Sequence, residues 1–252
     1  FMVHGVHSGL SVEPGDGQVF VSAGDGVLDG EGWVEFAFSG DADDVVISGL
    51  EIVDYATPTQ FGSVYVSGSG WLVEGNEVHG STGAGISVRD GGGVARNNVI
   101  RNNRVHHNHQ LGMAVTGTVG TLVEGNEIAY NNWLVEYDWG WEAGGTKFWA
   151  TEGLVVRGNW SHHNNGPGLW ADTDNTGTVT GSQSFTAFGE PLTGTGTFGF
   201  AGQQADPTGL QHLRARQYNP ALGRFTAIDP VQPGAPGTPG WNLYGYAGSN
   251  PT

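Results

Sequence analysis

A short phrase recurs four times in the first two-thirds of the chain and constrains its fold more than any other feature. The copies are LVEGNEVH (72–79), VIRNNRVHHN (99–108), LVEGNEIAYNN (122–132) and VVRGNWSHHNN (155–165). Their equivalent asparagines, Asn76, Asn103, Asn126 and Asn159, are 27, 23 and 33 residues apart. Repeats of this length, rich in β-branched residues and without helical periodicity, indicate a solenoid of short strands. We therefore predict a parallel β-helix.

Polar residues of the repeats also form columns. The four asparagines are predicted to stack inside the solenoid, where their side chains would satisfy the backbone of the turns. The histidines fall into two columns, which are His79, His106 and His162, and His107 and His163. Their spacing matches no compact zinc motif, so we expect them to face solvent in turns.

Composition limits the function classes. The formal net charge of −16 disfavours nucleic acid or an anionic membrane as a general partner. The absence of cysteine excludes disulfides and thiolate metal sites. No apolar stretch approaches the roughly 20 residues of a membrane span. Because the sequence begins at Phe1 without an export signal, we expect a fragment of a secreted or cell-surface protein.

The chain is predicted to contain two unlike halves. A Gly-rich lead-in or cap (1–18) precedes the β-helix (19–175), and a junction (176–183) leads to a tail (184–252). Eight of the eleven prolines lie in that tail, and the repeat asparagines do not continue into it.

The tail carries the ordered phrases FGEP, FGFAGQQADPTGLQHLRARQYNPALGRFTAIDP and GWNLYGYAGSNP. They resemble the core region of Rhs/YD-repeat proteins. The resemblance implies a partial Rhs core of short β-hairpins, and the remainder of an Rhs shell as a partner. Asp229 matches the family's acid for self-cleavage. The sequence ends before the second Asp-Pro segment, so we do not expect self-cleavage.

The phrase WEAGGTKFWATEGLVVRGNWSHHNNGPGLWADTDN (141–175) is similar to bacterial right-handed parallel β-helix proteins of the pectate-lyase-like superfamily. That superfamily contains polysaccharide lyases, hydrolases and uronate epimerases. The resemblance, together with the right-handed bias of parallel crossovers, implies a right-handed solenoid. It says less about chemistry, because one fold hosts several reactions and binding roles.

Apolar alternation aligns the second strand of each repeat, since residues two apart share a face of a strand. The predicted inward columns are Ile86, Met113, Phe148 and Leu169, and Val88, Val115, Ala150 and Ala171. The predicted outward columns are Gly85, Gly112, Lys147 and Gly168; Ser87, Ala114, Trp149 and Trp170; and Arg89, Thr116, Thr151 and Asp172. Lys147 is thus expected among glycines, with Trp149 beside Trp170.

A loop of about ten residues, WLVEYDWGWE at 133–142, is inserted just before Lys147. Such insertions often lie at a binding face. We predict a site with Lys147, Asp172 and Glu142 as catalytic groups. The predicted substrate-binding residues are Trp149, Trp170, Trp139, Trp141 and Tyr137. The alternatives are that Lys147 is simply a solvated side chain and that Trp149 and Trp170 pack under the 133–142 loop or against the tail.

Three functions fit this inventory. The first is a lyase or epimerase acting on an acidic polysaccharide, with Lys147 as base and Ca²⁺ stabilising the developing charge. The predicted metal ligands are Asp172, Asp174 and Asp138, although Asp172 and Asp174 could simply cap a turn. A hydrolase would instead pair Asp172 with Asp174 or Glu142. The second function is a non-catalytic spike that binds a cell-surface glycan. The third is a structural part of an Rhs-type shell.

Overall fold

The computed structural model describes residues 1–140, 142–179, 184–185, 191–193, 210–213, 216–222 and 224–227. The chain divides into two compact units, Phe1–Thr180 and Gly181–Thr252. The first unit is a parallel β-solenoid of about six turns, and no helix occurs in the part of the chain that is described. The prediction of a parallel β-helix is confirmed. None of the described segments is a helix long and apolar enough to cross a membrane.

Three parallel sheets form the walls of the solenoid. The first sheet contains β1 (Met2–Val3), β3 (Val19–Ser22), β6 (Val46–Ser48), β9 (Leu72–Glu74), β12 (Val99–Arg101), β15 (Leu122–Glu124), β18 (Glu152–Arg157) and β21 (Thr176–Val179). The second contains β2 (Val6–Ser8), β4 (Val27–Asp29), β7 (Glu51–Val53), β10 (Glu77–His79), β13 (Arg104–His106), β16 (Glu127–Ala129) and β19 (Trp160–His162). The third contains β5 (Phe38–Gly40), β8 (Gly62–Val66), β11 (Ala84–Arg89), β14 (Leu111–Thr116), β17 (Gly144–Trp149) and β20 (Trp170–Ala171).

The core is built from like residues stacked at the same register in successive turns. In the first sheet the buried central residues of the strands are Ile47, Val73, Ile100 and Val123, and in the second sheet they are Ile52, Val78, Val105 and Ile128. Burying each such side chain contributes about 1.5–3 kcal/mol. The short strands alternate outward, inward and outward, which explains why a three-residue segment suffices for each wall.

The predicted asparagine ladder is confirmed inside the solenoid. Asn103 is buried; its Nδ2 donates to Val73 O and to Asn126 Oδ1, each at 2.9 Å. Its Oδ1 accepts from the backbone N and the Nδ2 of Asn76, each at 3.0 Å. Asn126 repeats the arrangement with Asn159. Each side chain therefore satisfies polar groups of the turn before it, where water cannot reach.

A second ladder was not predicted. Asn108 and Asn131 are buried, and the Nδ2 of each donates to the next asparagine, Asn131 or Asn164, at 3.0 and 2.9 Å. These residues lie five positions after the first-ladder asparagines, so the signal was present in the sequence. The first repeat has Ser81 at this position, and its backbone N donates to Asn108 Oδ1.

The tail unit has few described residues. Two antiparallel groups are present, one of β22 (Ser184–Phe185) with β23 (Pro191–Thr193), and one of β24 (Gln211–Leu213), β25 (Arg216–Asn219) and β26 (Arg224–Phe225). Asp229, matched to the Rhs-family acid, lies outside the described residues. The Rhs core stays a prediction.

The histidine columns exist, but the expectation of solvent-facing rings is wrong for His106. Its side chain stacks on His79 with ring centroids 4.9 Å apart, and the residue is only 8% exposed. His106 Nε2 lies 2.9 Å from Glu77 Oε1, and its Nδ1 lies 2.8 Å from Nδ1 of His107. His162 repeats this pattern with His163 and a glutamate of β16. Stacking on His79 of the neighbouring turn removes the His106 imidazole from water.

The histidines predict a loss of stability in acid. Burial lowers the pKa of His106, and the hydrogen bond to Glu77 only partly offsets this; nearby Arg104 and His79 lower the pKa further. Burial also lowers the pKa of His107 and His162. The unfolded chain therefore takes up these protons at a higher pH than the folded chain does. The free energy of unfolding should be steady above the ordinary histidine pKa of 6.5 and fall as the pH drops below it.

Urea denaturation at about pH 7.5 and about pH 5.5 measures this effect. His106→Asn should reduce the difference between the two pH values, whereas the same change at the exposed His7 should leave it unaltered. Equal stability at both pH values in the unsubstituted protein would contradict the expectation.

Candidate functional site

The outer face of the third sheet carries the predicted site, but in a different register. Lys147 pairs with Ala114 on one side and Trp170 on the other. Thr146 takes the inward position next to Met113 that was predicted for Phe148. The predicted alignment of β17 is therefore wrong by two residues. The buried hydroxyl of Thr146 lies 3.3 Å from Gly168 O, which explains how a polar residue occupies an inward position.

Three residues that were predicted to point inward are not buried. Leu169 precedes β20 in a bend and is 52% exposed. Ala150 follows β17 with φ of 52°, outside the extended backbone, and is partly exposed. Ala171, although paired with Phe148, is exposed. The alternation rule fails here because Leu169 and Ala150 lie beyond the ends of their strands.

The glycines predicted around Lys147 belong to another column. A Cβ built on Gly112 would lie 2.6 Å from Ile128 Cγ2 and 2.8 Å from Asn131 Nδ2, so this position faces inward against the second asparagine ladder. Gly85 likewise faces Asn108, and Gly145 takes the position next in the column. Because the side chains of the second asparagine ladder come so close to this backbone, only glycine fits at these positions. Lys147 instead lies beside the small side chain of Ala114.

The three predicted catalytic residues lie together, with Glu142 and Asp172 on either side of the Lys147 ammonium. Lys147 Nζ lies 3.2 Å from Glu142 Oε1 and 3.4 Å from Asp172 Oδ2. It also lies 5.2 Å from the centroid of the Trp170 ring, within the range of a cation–π contact. The lysine side chain is only 14% exposed. The result is a half-buried cation held between two carboxylates and an indole face, which we call the Lys147 cluster.

The 133–142 loop is fixed to earlier turns of the solenoid. The side-chain amide of Gln60 donates to Glu142 Oε2 across 82 residues of sequence. The backbone N of Gln60 donates to Gln110 Oε1 at 2.6 Å. Tyr137 O accepts from Asn132 Nδ2 at 2.9 Å, closing the loop on itself. Glu142 is therefore presented to Lys147 by a braced segment.

The predicted aromatic residues have different environments. Trp149 lies beside Thr116, not beside Trp170, yet both tryptophans are on the outer face. Trp149 is 43% exposed, and its Nε1 donates to Thr173 Oγ1 at 3.1 Å. Trp139 is exposed on the loop, while Tyr137 and Trp170 are partly buried. Trp141 lies outside the described residues. Trp149 is thus an exposed indole on the same strand as Lys147.

The predicted calcium ligands do not lie together at one point of the structure. Within the described ranges, no three His, Cys, Asp or Glu side chains form a group that could hold a metal ion. Asp172 Oδ1 accepts from Thr173 N, and its Oδ2 faces the ammonium of Lys147. Asp138 Oδ1 accepts from Gly140 N in its own loop. Calcium stays a prediction.

Two features of the site were missed from the sequence. Lys147 is the only lysine of the chain, which the printed sequence shows directly. Gln60 and Gln110 brace Glu142, but no local pattern marks them, because the contact joins turns far apart in sequence.

Comparison with known families agrees with the observed solenoid. The family model described as a right-handed beta helix region matches residues 62–198, more than half of the chain. No curated protein and no solved structure matches the chain. The match covers the turns that carry both asparagine ladders and the Lys147 cluster. The chain belongs to the right-handed β-helix family.

Proposed function

We propose that the chain binds a polysaccharide or cell-surface glycan through the outer face of the third sheet, at Trp149 and the Lys147 cluster. The observation that carries this proposal is an exposed indole beside a half-buried, hydrogen-bonding charge cluster on a rigid wall. We further propose that the protein works outside the cell or at its surface. Membership of an Rhs-type shell would be compatible with this role.

Trp149 suits a sugar ring for physical reasons. Large aromatic side chains seldom remain exposed unless they meet a partner, and the apolar face of a sugar can stack on an indole. The hydrogen bond from Nε1 to Thr173 restrains the ring in place. A restrained ring loses less conformational entropy on binding than a freely rotating one.

Replacing Trp149 with alanine should weaken glycan binding by about 1–3 kcal/mol, by analogy with stacking of nucleic-acid bases on aromatic residues. This corresponds to a loss of roughly 5- to 150-fold in affinity. Glycan-array screening followed by titration calorimetry measures it. Trp33→Ala, at an exposed tryptophan near the start of the chain, is the matched control and should bind normally. Equal affinity of Trp149→Ala and the unsubstituted protein would contradict the proposal.

Glycan cleavage is the second candidate function, since two carboxylates lie close together on this face. Glu142 Oε1 and Asp172 Oδ2 both contact Lys147 Nζ, so they are at most about 6.6 Å apart. Carboxyl pairs of glycosidases are roughly 5–9.5 Å apart. Lys147 Nζ is already paired with both carboxylates, so the lysine is better placed to donate a hydrogen bond to a ligand than to act as the base of a lyase or epimerase.

Product analysis separates these reactions from simple binding. Hydrolysis would release new reducing ends, and elimination on a uronate polymer would release unsaturated ends. Epimerisation would change the sugar composition without shortening the polymer. If the protein binds a glycan and forms none of these products, the result favours a non-catalytic binding or adhesive spike.

A further inference from the structure

The Lys147 cluster has a defined hydrogen-bonding pattern. A lysine ammonium has three donors; one of them donates to Glu142 Oε1 at 3.2 Å, and Asp172 Oδ2 lies 3.4 Å away as an ion-pair partner. At least one donor remains beside the two carboxylates, each of which keeps acceptor capacity. The order along the cluster is therefore acceptor, donor, acceptor.

The charge of the cluster is negative. One ammonium stands against two carboxylates, and the adjoining loop adds the exposed carboxylate of Asp138. Arg89, which shares the outward column of Trp149 two turns away, packs its guanidinium 4.4 Å above the ring of Phe61. A sugar carboxylate placed on Trp149 would thus meet like charges at close range.

Building on the proposed function, we propose that the glycan bound at this cluster is uncharged, a neutral hexose or pentose polymer. A sugar hydroxyl is both donor and acceptor, so it can accept from Lys147 while donating to Asp172 or Glu142. The apolar face of the same ring then lies on Trp149. A uronate cannot donate from its carboxylate.

Titration against two sets of polymers tests this inference at low salt. The neutral set is glucan, mannan, galactan and xylan, and the charged set is polygalacturonate and alginate. The unsubstituted protein should bind at least one neutral polymer about tenfold or more tighter than either uronate polymer. Raised ionic strength should reduce the difference in affinity between the neutral and the uronate polymers, because salt screens the repulsion between carboxylates.

A charge-removing variant makes the test specific. Asp172→Asn keeps the size of the side chain but removes one negative charge, so the ratio of uronate to neutral affinity should rise by about tenfold. Glu136→Gln removes one charge from the loop outside the cluster and should change the ratio by less than about twofold. Denaturation midpoints show whether each variant is folded.

The outcomes separate the two proposals. Tighter binding of a uronate polymer by the unsubstituted protein, or an unchanged ratio in folded Asp172→Asn, would overturn the neutral-glycan inference and leave glycan binding intact. If the unsubstituted protein bound no polymer of either set more tightly than the Trp149→Ala variant does, the proposed function itself would be overturned.

Discussion

Replacing Asn103 with leucine should lower the free energy of unfolding by about 3–5 kcal/mol, enough to prevent folding of a marginal protein. Leucine has a similar size but can neither donate nor accept. The buried backbone N–H of Asn76 would lose its acceptor, and Val73 O would lose a donor. Each unsatisfied buried group costs about 1–3 kcal/mol. Urea denaturation followed by circular dichroism measures the change.

Asn159 provides the control within the same ladder. It makes equivalent bonds to Asn126 but is partly exposed, so water can replace some of its contacts. Asn159→Leu should therefore cost clearly less than Asn103→Leu. If the two variants lost equal stability, or if neither lost any, the buried ladder would not be what holds the turns together.

Gly112→Ala should destabilise the solenoid by about 2–4 kcal/mol. The added methyl group would lie 2.6 Å from Ile128 Cγ2 and 2.7 Å from Gly145 O, so the backbone or the second asparagine ladder must move. Thermal or urea denaturation checks the loss. The matched control is Gly93→Ala, because a Cβ there meets no atom of the described residues within 4 Å, and the free energy of unfolding should change by less than about 0.5 kcal/mol. A Gly112→Ala variant with an unchanged free energy of unfolding would contradict the inward placement of the glycine column that contains Gly85, Gly112 and Gly145.

The fold could be predicted because its main determinants repeat in the sequence. Asn76, Asn103 and Asn126 recur with an apolar residue three positions before each, and both features occupy fixed places inside the turn. The second ladder carried the same kind of signal at Asn108 and Asn131, five positions after the first-ladder asparagines, but it was not predicted. Periodicity of buried polar residues is thus as informative here as that of apolar ones.

Register within β17 could not be predicted by the same means. A shift of two residues keeps every side chain on its face, so alternation alone does not distinguish Phe148 from Thr146 beside Met113. Choosing the more apolar residue gave the wrong answer. The structure aligns Gly145 with Gly112, because both must clear the second asparagine ladder.

The centre of the candidate site was predicted more successfully than its surroundings. Glu142 was placed near Lys147 by the inserted loop, and Asp172 by the strand of the next turn; both lie within 3.4 Å of its ammonium. The brace from Gln60 depends on a contact between distant turns, which no local pattern encodes. Its effect on the position of Glu142 is therefore visible only in three dimensions.

Protection of Lys147 from amine modification tests the central claim most directly. Because it is the only lysine in this sequence, its ε-amine can be followed by mass spectrometry beside the α-amine of the protein, which serves as an internal control. At a saturating concentration of the bound neutral polymer, the modification of Lys147 should slow several-fold while that of the α-amine stays constant. Unchanged modification of Lys147 under saturation, or equal slowing of both amines, would contradict a glycan site at the Lys147 cluster.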